Sequence, residues 1–168
     1  TCALPICTPL NAVIHGKLDQ GDYTVEKVYM ETFPGFFLTG SLYRPKGYEG
    51  PRPAVLSPHG HWNQGRFMEN LEVLDEINQG AERFENGGRS PLQSRNVQLA
   101  RMGCVVFHYD MIGYADNEQI SYELAHRFAK QREHMNTSDG WGLFSAQAES
   151  RLQSVMGLQT WNSMRDRK

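Results

Sequence analysis

Long apolar runs are missing from this 168-residue chain: no stretch of about 18 consecutive apolar residues occurs, which excludes a transmembrane helix. An excess of either charge is missing too. Seventeen Lys and Arg face 19 Asp and Glu, for a formal charge of −2 and a pI of about 6.3. A nucleic-acid binder usually shows a basic excess, so neither nucleic acid nor a membrane is an expected partner. Mean hydropathy is low, at −0.56, and apolar residues make up 39%; counted with Gly and without Tyr the share is about 45%, the lower edge of the roughly 45–50% of a complete globular domain. Charge runs are absent and aromatics reach 11%, which argues against disorder. A chain that folds yet is short of core material reads as part of a larger domain.

The ends carry the same expectation. No initiator Met and no basic-then-apolar secretory signal precede the first elements. The codons ACG TGT GCT CTT CCG ATC encode Thr1–Ile6 and spell a stretch of a widely used sequencing adapter. Residues 1–7 are therefore expected to be a non-native leader, and residues 8–168 an incomplete domain. The chain stops at Arg165-Asp166-Arg167-Lys168, directly after a helical pattern. Of three cysteines, Cys2 and Cys7 fall in the leader, and Cys104 lies in an apolar strand-like run as a small hydrophobe. The compartment stays open, secreted and periplasmic locations included, and so does the oligomeric state.

Gly21-Asp22 precedes a strand over Tyr23–Thr32, and Pro34-Gly35 joins it to Phe36–Tyr43, a strand pair at a sheet edge. Pro45–Pro53 is loop. Ala54–Ser57 is a short apolar strand of the kind buried in parallel sheets. Leu71, Leu74 and Ile77 predict a helix over Glu69–Asn78, with loop over Gly80–Gly88. Ser90 as N-cap, Pro91 at the first helical position and Gln93 as the far half of a capping box open the next helix, with Val97, Leu99 and Ala100 on its apolar face. Gly103 closes it, and Cys104–Tyr109 follows as a strand. Ile120, Leu124 and Phe128 predict a further helix. Asn136–Gly142 is a turn-rich connection, and Leu152, Val155, Met156, Gln159 and Trp161 mark a last helix to about Arg165. A buried strand, a helix and a second buried strand make a crossover unit. The fold class is α/β, a mostly parallel sheet with helices on both faces.

Chemistry concentrates at Ser57-Pro58-His59-Gly60-His61-Trp62, where the third of these strands ends. Ligand sites of open α/β sheets gather at such strand ends. Gly after His lets the backbone turn, and the next N–H groups then point into the cleft, where an acyl-transfer enzyme holds its oxyanion.

Four segments resemble the α/β-hydrolase superfamily, in its bacterial acetylxylan esterase-like branch, with dienelactone hydrolases more distant. They are Ser57–Trp62, Gln98–Gly103, Val105–Tyr114 and Met156–Ser163. The resemblance runs from about Tyr23 to Lys168. It implies a Ser-His-Asp carboxylic-ester hydrolase acting on a small-molecule or polysaccharide ester, without a cofactor. The family's nucleophile sits in G-x-S-x-G, and the chain has no such motif. Gly88-Arg89-Ser90-Pro91-Leu92 comes nearest and lacks the final Gly. The last helix matches the one before the family's nucleophile strand. All three triad residues are therefore expected beyond Lys168, and the chain alone is expected to be inactive. What carries over is the oxyanion loop: the His61 backbone N–H as donor, Gly60 for loop geometry and Trp62 as a pocket wall or aromatic cover. Peptidases and dienelactone-type hydrolases of the superfamily are the enzymatic alternatives. A non-catalytic carbohydrate-binding homologue is the other.

The remaining polar residues read as structural. His59 is expected to hydrogen-bond within its loop, and Asp110 to cap the loop after its strand. Relatives have Gly where Ala115 stands, which predicts an altered turn. His59-x-His61 begins like a dinuclear zinc motif, but Asn63 and Gln64 stand where Asp and His are required, so no metal is expected. His15, His108, His126 and His134 have no ligand spacing; His126 and His134 are expected on a solvated helix face and His108 on one face of the sheet. Arg127, Lys130 and Arg132 form a short surface patch. In the family's sheet order the strand Ala54–Ser57 neighbours one that lies beyond this chain, so it is expected to be an open edge.

Overall fold

A computed structural model describes residues 8–47, 49–62, 64–127, 150 and 153–165. The leader, Phe128, His134, Lys130, Arg132, the connection 136–142 and Leu152 lie outside the described residues. Five strands, β1 (Val13–Asp19), β2 (Tyr23–Phe33), β3 (Phe36–Pro45), β4 (Ala54–Leu56) and β5 (Val105–Tyr109), form one sheet in the order β1-β2-β3-β5-β4. The described helices are α1 (Val73–Asn78), α2 (Glu85–Arg89), α3 (Pro91–Arg101), α4 (Tyr122–His126) and α5 (Val155–Arg165), with a 3-10 turn at Gly65–Phe67.

The chain adopts the α/β class. The parallel relation is confined to β4 and β5, with Val55 opposite Val106. β1, β2, β3 and β5 pair antiparallel in turn, so the described sheet is mixed. β4 has a single strand neighbour among the described residues and forms one edge, as the sequence predicts for Ala54–Ser57. The other edge is β1. It was not expected, and β2–β3 is consequently not an edge pair. All seven β1 residues are exposed. With neither face buried, β1 carries no apolar alternation for sequence reasoning to detect.

The β2–β3 hairpin turns at Pro34-Gly35. Pro fixes its own φ, and Gly35 takes φ +74°, which the second central position of a type II turn requires. The Glu31 carboxylate accepts the Gly35 N–H at 2.7 Å. Period-two alternation then divides the core between the two faces of the sheet. On one face Val28, Met30, Leu38, Phe107 and Tyr109 are buried together. On the other, Tyr43 and Val106 pack with Ala100, Val97 and Leu99 of α3. Cys104 joins this second cluster as a free, partly buried thiol.

α3 begins at Pro91, as expected, but Ser90 makes no side-chain cap and the capping box does not form. Its start relies on the Pro and on the Ser94 N–H to Ser90 carbonyl bond of 2.9 Å. Gly103 ends it at φ +95°. α1 is shorter than predicted and differently turned. Leu71 and Leu74 are exposed, while Val73 is fully buried. The Asn70 side chain accepts the Glu72 N–H at 3.1 Å, and this turn delays the helix to Val73. α2 lies where loop was predicted. α4 starts at Tyr122, so Ile120 precedes it; Ser121 caps it by accepting the Leu124 N–H.

α5 docks through polar groups. Its buried residues are Gln159, Asn162 and Arg165, whereas Met156 is 70% exposed. Thr32 of β2 donates its hydroxyl to the Asn162 side chain at 2.6 Å and accepts Trp161 Nε1–H on its carbonyl at 2.7 Å. Arg165 reaches the Thr8 carbonyl. Of the predicted stripe, Gln159 is buried, Val155 and Trp161 are half-buried, and Met156 faces outward.

Candidate functional site

Because β4 and β5 run parallel, the loops leaving them, Ser57–Trp62 and Asp110–Asn117, emerge at the same end of the sheet. That end is where α/β sheets place ligands.

His59 joins the two loops. It is buried, its Nε2 accepts the Met111 backbone N–H at 3.1 Å, and its Nδ1 lies 2.8 Å from the Gly60 carbonyl. An Nε2 acceptor assigns the proton to Nδ1, which donates to Gly60. Burial lowers the imidazole pKa and keeps it neutral, as both bonds require. The structural role expected for His59 is the one observed.

Gly60 does not adopt the left-handed region. Its lack of a side chain serves a close approach instead: a Cβ there would meet the Trp62 ring at 3.0–3.3 Å. Trp62 lies across the loop, 44% exposed. The left-handed turn comes later, at Gln64 and Gly65 with φ +65° and +58°. A Cβ on Gly65 would lie 2.9 Å from Tyr114 Cβ and 3.1 Å from the His59 ring. The His61 backbone N–H donates to no hydrogen-bond partner among the described residues, and its side chain is exposed.

Sequence reasoning overlooked the residue beneath this loop. Arg66 is 2% exposed and pairs with Asp110, which is fully buried, and with Asp116 at 2.5 Å. Thr39 donates its hydroxyl to the same Asp110 oxygen at 2.6 Å. Burial pushes the Asp110 carboxyl up, and the Arg66 guanidinium opposes that push. Asp110 is thus a buried anchor for two loops, consistent with a loop-organising role rather than that of a free acid. The Asp116 N–H also approaches it, at 3.4 Å. An Arg at the end of a loop gives no sequence signal of burial, since Arg is mostly exposed.

The loop after β5 keeps its left-handed position despite the side chain: Ala115 has φ +48°. The alanine side chain does not keep this residue out of the left-handed region. The Gly113 N–H to Asn117 carbonyl and Asn117 N–H to Tyr114 carbonyl bonds, both 2.9 Å, hold the conformation. Gln159 of α5 accepts the Ile112 N–H at 2.9 Å.

Below the site, Asn96 of α3 is fully buried and connects Ser57 to His108. The Ser57 hydroxyl donates to the Asn96 carbonyl oxygen at 2.9 Å, and the Asn96 amide lies 2.6 Å from His108 Nδ1. His108 is pushed down to about 3, chiefly by burial, and is neutral. It faces α3 from one side of the sheet, as expected.

His126 is not on a solvated face. It is half-buried, with Nε2 2.8 Å from the Ile112 carbonyl. Its ring lies 4.7 Å from Tyr114, 5.0 Å from His61 and 5.2 Å from Tyr122, centroid to centroid. Together with Arg127 these residues line a cavity of about 310 Å³. Among the described residues no three His, Cys, Asp or Glu side chains come together to hold a metal ion. A second cavity, of about 360 Å³, is lined by Tyr29, Phe37, Thr39, Asp116, Asn117 and Gln119. The Gln119 amide there is spent on the Phe37 N–H and the Gly35 carbonyl. The smaller cavity, lined by His61 itself, is the candidate site.

No protein-family model and no curated protein matches the chain. Among solved structures the fold is similar to that of the methylesterase BT1017, with a TM-score of 0.50 and 23% identity over 96% of this chain and 28% of that one. It is also similar to a candidate acetyl xylan esterase (BF1801) from Bacteroides fragilis, with a TM-score of 0.53 and 14% identity over 94% of this chain and 37% of that one. The chain spans about a third of the length of each. At these identities the likeness is one of fold.

Proposed function

We propose that the chain is the N-terminal part of a serine carboxylic-ester hydrolase of the α/β-hydrolase superfamily, close to the acetylxylan esterases, and that it carries the oxyanion loop without the triad. The observation that carries the reading is His61, which lines the strand-end cavity and whose backbone N–H has no partner among the described residues. It fits a donor held for an oxyanion, because an N–H left without a protein partner is available to a developing charge. Gly60 lets Trp62 fold across the loop and so sets its shape; Trp62 covers the loop and is not among the residues that line the cavity. The names of the two structural neighbours, a methylesterase and a candidate acetyl xylan esterase, support ester chemistry. In this reading residues 1–7 are a non-native leader. The Ser nucleophile, the acid and the catalytic His follow Lys168, and this chain by itself does not turn over esters.

The test is to sequence the source DNA past both ends and express the extended frame. A G-x-S-x-G within the following strand, and hydrolysis of 4-nitrophenyl acetate that is lost when that Ser becomes Ala, are expected. His61→Ala keeps the backbone donor and retains most activity. His61→Pro removes the donor and lowers kcat by about 10²–10³-fold. An extended frame without the motif or without hydrolysis, or turnover by the 168-residue chain alone, overturns the reading.

A further inference from the structure

Arg127 is held differently from the two arginines nearest the strand-end loops, of which Arg95 donates to the Ser57 hydroxyl at 2.8 Å. Arg66 is spent on Asp110 and Asp116. Farther away, Arg44, Arg89 and Arg101 each face a carboxylate. Arg127 has no carboxylate partner among the described residues. It is nonetheless held: its Nη1 donates to the His126 carbonyl at 3.1 Å, and its guanidinium carbon lies 5.5 Å from the Tyr122 ring centroid. A cation fixed against an aromatic face has less freedom to lose on binding a ligand.

Tyr114 and His126 beside it in the cavity are uncharged. The Tyr114 hydroxyl is raised to about 12, mainly by burial, and stays protonated. Burial lowers His126 and keeps it neutral. The His61 ring lies beside them, 5.0 Å from that of His126. The guanidinium thus supplies the charge, and one positive charge matches one negative charge. A planar carboxylate fits the guanidinium fork, whereas a phosphate monoester would bring nearly two charges. The volume of about 310 Å³ suits a group of monosaccharide size.

We propose that this cavity binds a carboxylate carried by the ester substrate, with Arg127 as its cationic partner and His61, Tyr114 and Tyr122 as the surrounding walls. The inference rests on the esterase reading for the word substrate, because the cavity is lined by the same His61. It names an anionic ester as the substrate class. The carboxylate is distinct from the ester carbonyl that reacts, and it belongs either to a sugar acid in the alcohol half or to a dicarboxylic acyl half.

The experiment is binding by the 168-residue chain, read from the imidazole proton signals of His61 and His126 in NMR titrations. The ligands are glucuronate, monomethyl succinate, and the uncharged glucose and methyl glucuronate. At least one carboxylate is expected to shift both imidazoles and to bind at least tenfold tighter than the neutral ligands. Glucuronate assigns the charge to the alcohol half and monomethyl succinate to the acyl half. Arg127→Gln is expected to erase the tenfold preference, Arg127→Lys to retain part of it, and Lys17→Gln, on the exposed β1 strand, to leave it intact. Equal binding of charged and neutral ligands, absence of binding by all four, or a preference that survives Arg127→Gln overturns the proposal. Because no turnover is measured, carboxylate binding by this chain alongside an extended protein that cleaves no ester would overturn the esterase reading alone.

Discussion

Arg66 and Asp110 face each other from two different loops, with both side chains withdrawn from solvent, and the pair ties the turn after β4 to the end of β5. Removing one partner of such a pair leaves the other charge buried and uncompensated, at a cost of about 3–5 kcal/mol. Arg66→Met is therefore expected to lower stability by about that amount in urea unfolding at pH 7. The loss should shrink in acid. Burial already pushes the Asp110 carboxyl up, and without Arg66 it is pushed further. A raised carboxyl contributes stability at low pH that disappears as pH rises through its folded value. An Arg66→Met deficit that is equal at pH 4 and pH 7 would contradict the pairing.

Ala115 offers a test in the opposite direction. An L-residue in the left-handed region costs roughly 1–2 kcal/mol, and glycine gives back roughly 0.4–1 kcal/mol of that gain through the freedom it adds to the unfolded chain. Ala115→Gly is expected to stabilise the protein by about 0.5–1 kcal/mol, seen as a higher urea midpoint with an unchanged slope. A lower midpoint would mean that the φ of +48° is not carried as strain.

The two buried histidines set the acid limit. His108 is pushed down to about 3 and His59 is lowered as well, from ordinary values of 6.5. A depressed group contributes stability that is complete above the unfolded value and is lost as pH falls, because the unfolded chain takes up the proton first. Stability should fall from about pH 6.5 downward, with each histidine adding a slope of up to ~1.4 kcal/mol per pH unit. His59 contributes down to its own lowered value, and His108 further, to about pH 3. Protonating His59 also removes the acceptor for the Met111 N–H. His108→Gln should flatten the curve between pH 6 and 4 whatever it does to stability at pH 7. An unchanged slope would exclude His108 as a titrating group.

How much of this was legible beforehand follows from what each residue signals alone. The β2–β3 hairpin, α3 and β5 were readable because Pro34-Gly35, Pro91 and Gly103 act locally, and Val105–Tyr109 is apolar enough to require burial. The Ser57–Trp62 loop was readable as a motif, but the place of its left-handed turn was not. Gly60 makes room for Trp62, and the left-handed turn falls on Gln64 and Gly65. Arg66, Asn96 and Gln159 were invisible because polar residues are placed outside by default. Each is buried here only because a distant partner satisfies it: Asp110, Ser57 with His108, and the Ile112 N–H. His126 was misplaced for the same reason, since the Ile112 carbonyl that draws it inward lies 14 residues earlier.

Gly65 and Gly80 separate the cost of backbone conformation from the cost of crowding. Both have positive φ, +58° and +76°. A Cβ on Gly80 meets nothing within 4 Å, while one on Gly65 meets the Tyr114 and His59 side chains at 2.9–3.1 Å. Gly80→Ala should therefore lose only the conformational cost of about 1–2 kcal/mol, less the roughly 0.4–1 kcal/mol that the stiffer unfolded chain returns, or about 0.5–1 kcal/mol net. Gly65→Ala adds overpacking, typically about 1–3 kcal/mol more. His59 can yield only by giving up the Met111 N–H, so the added cost should appear at the site as well as in global stability. Faster hydrogen exchange at the Met111 amide in Gly65→Ala, and not in Gly80→Ala, is the expected signature. Equal losses for the two variants, with the Met111 amide unaffected, would show that the loop has room at Gly65 and that His59 is not wedged between it and β5.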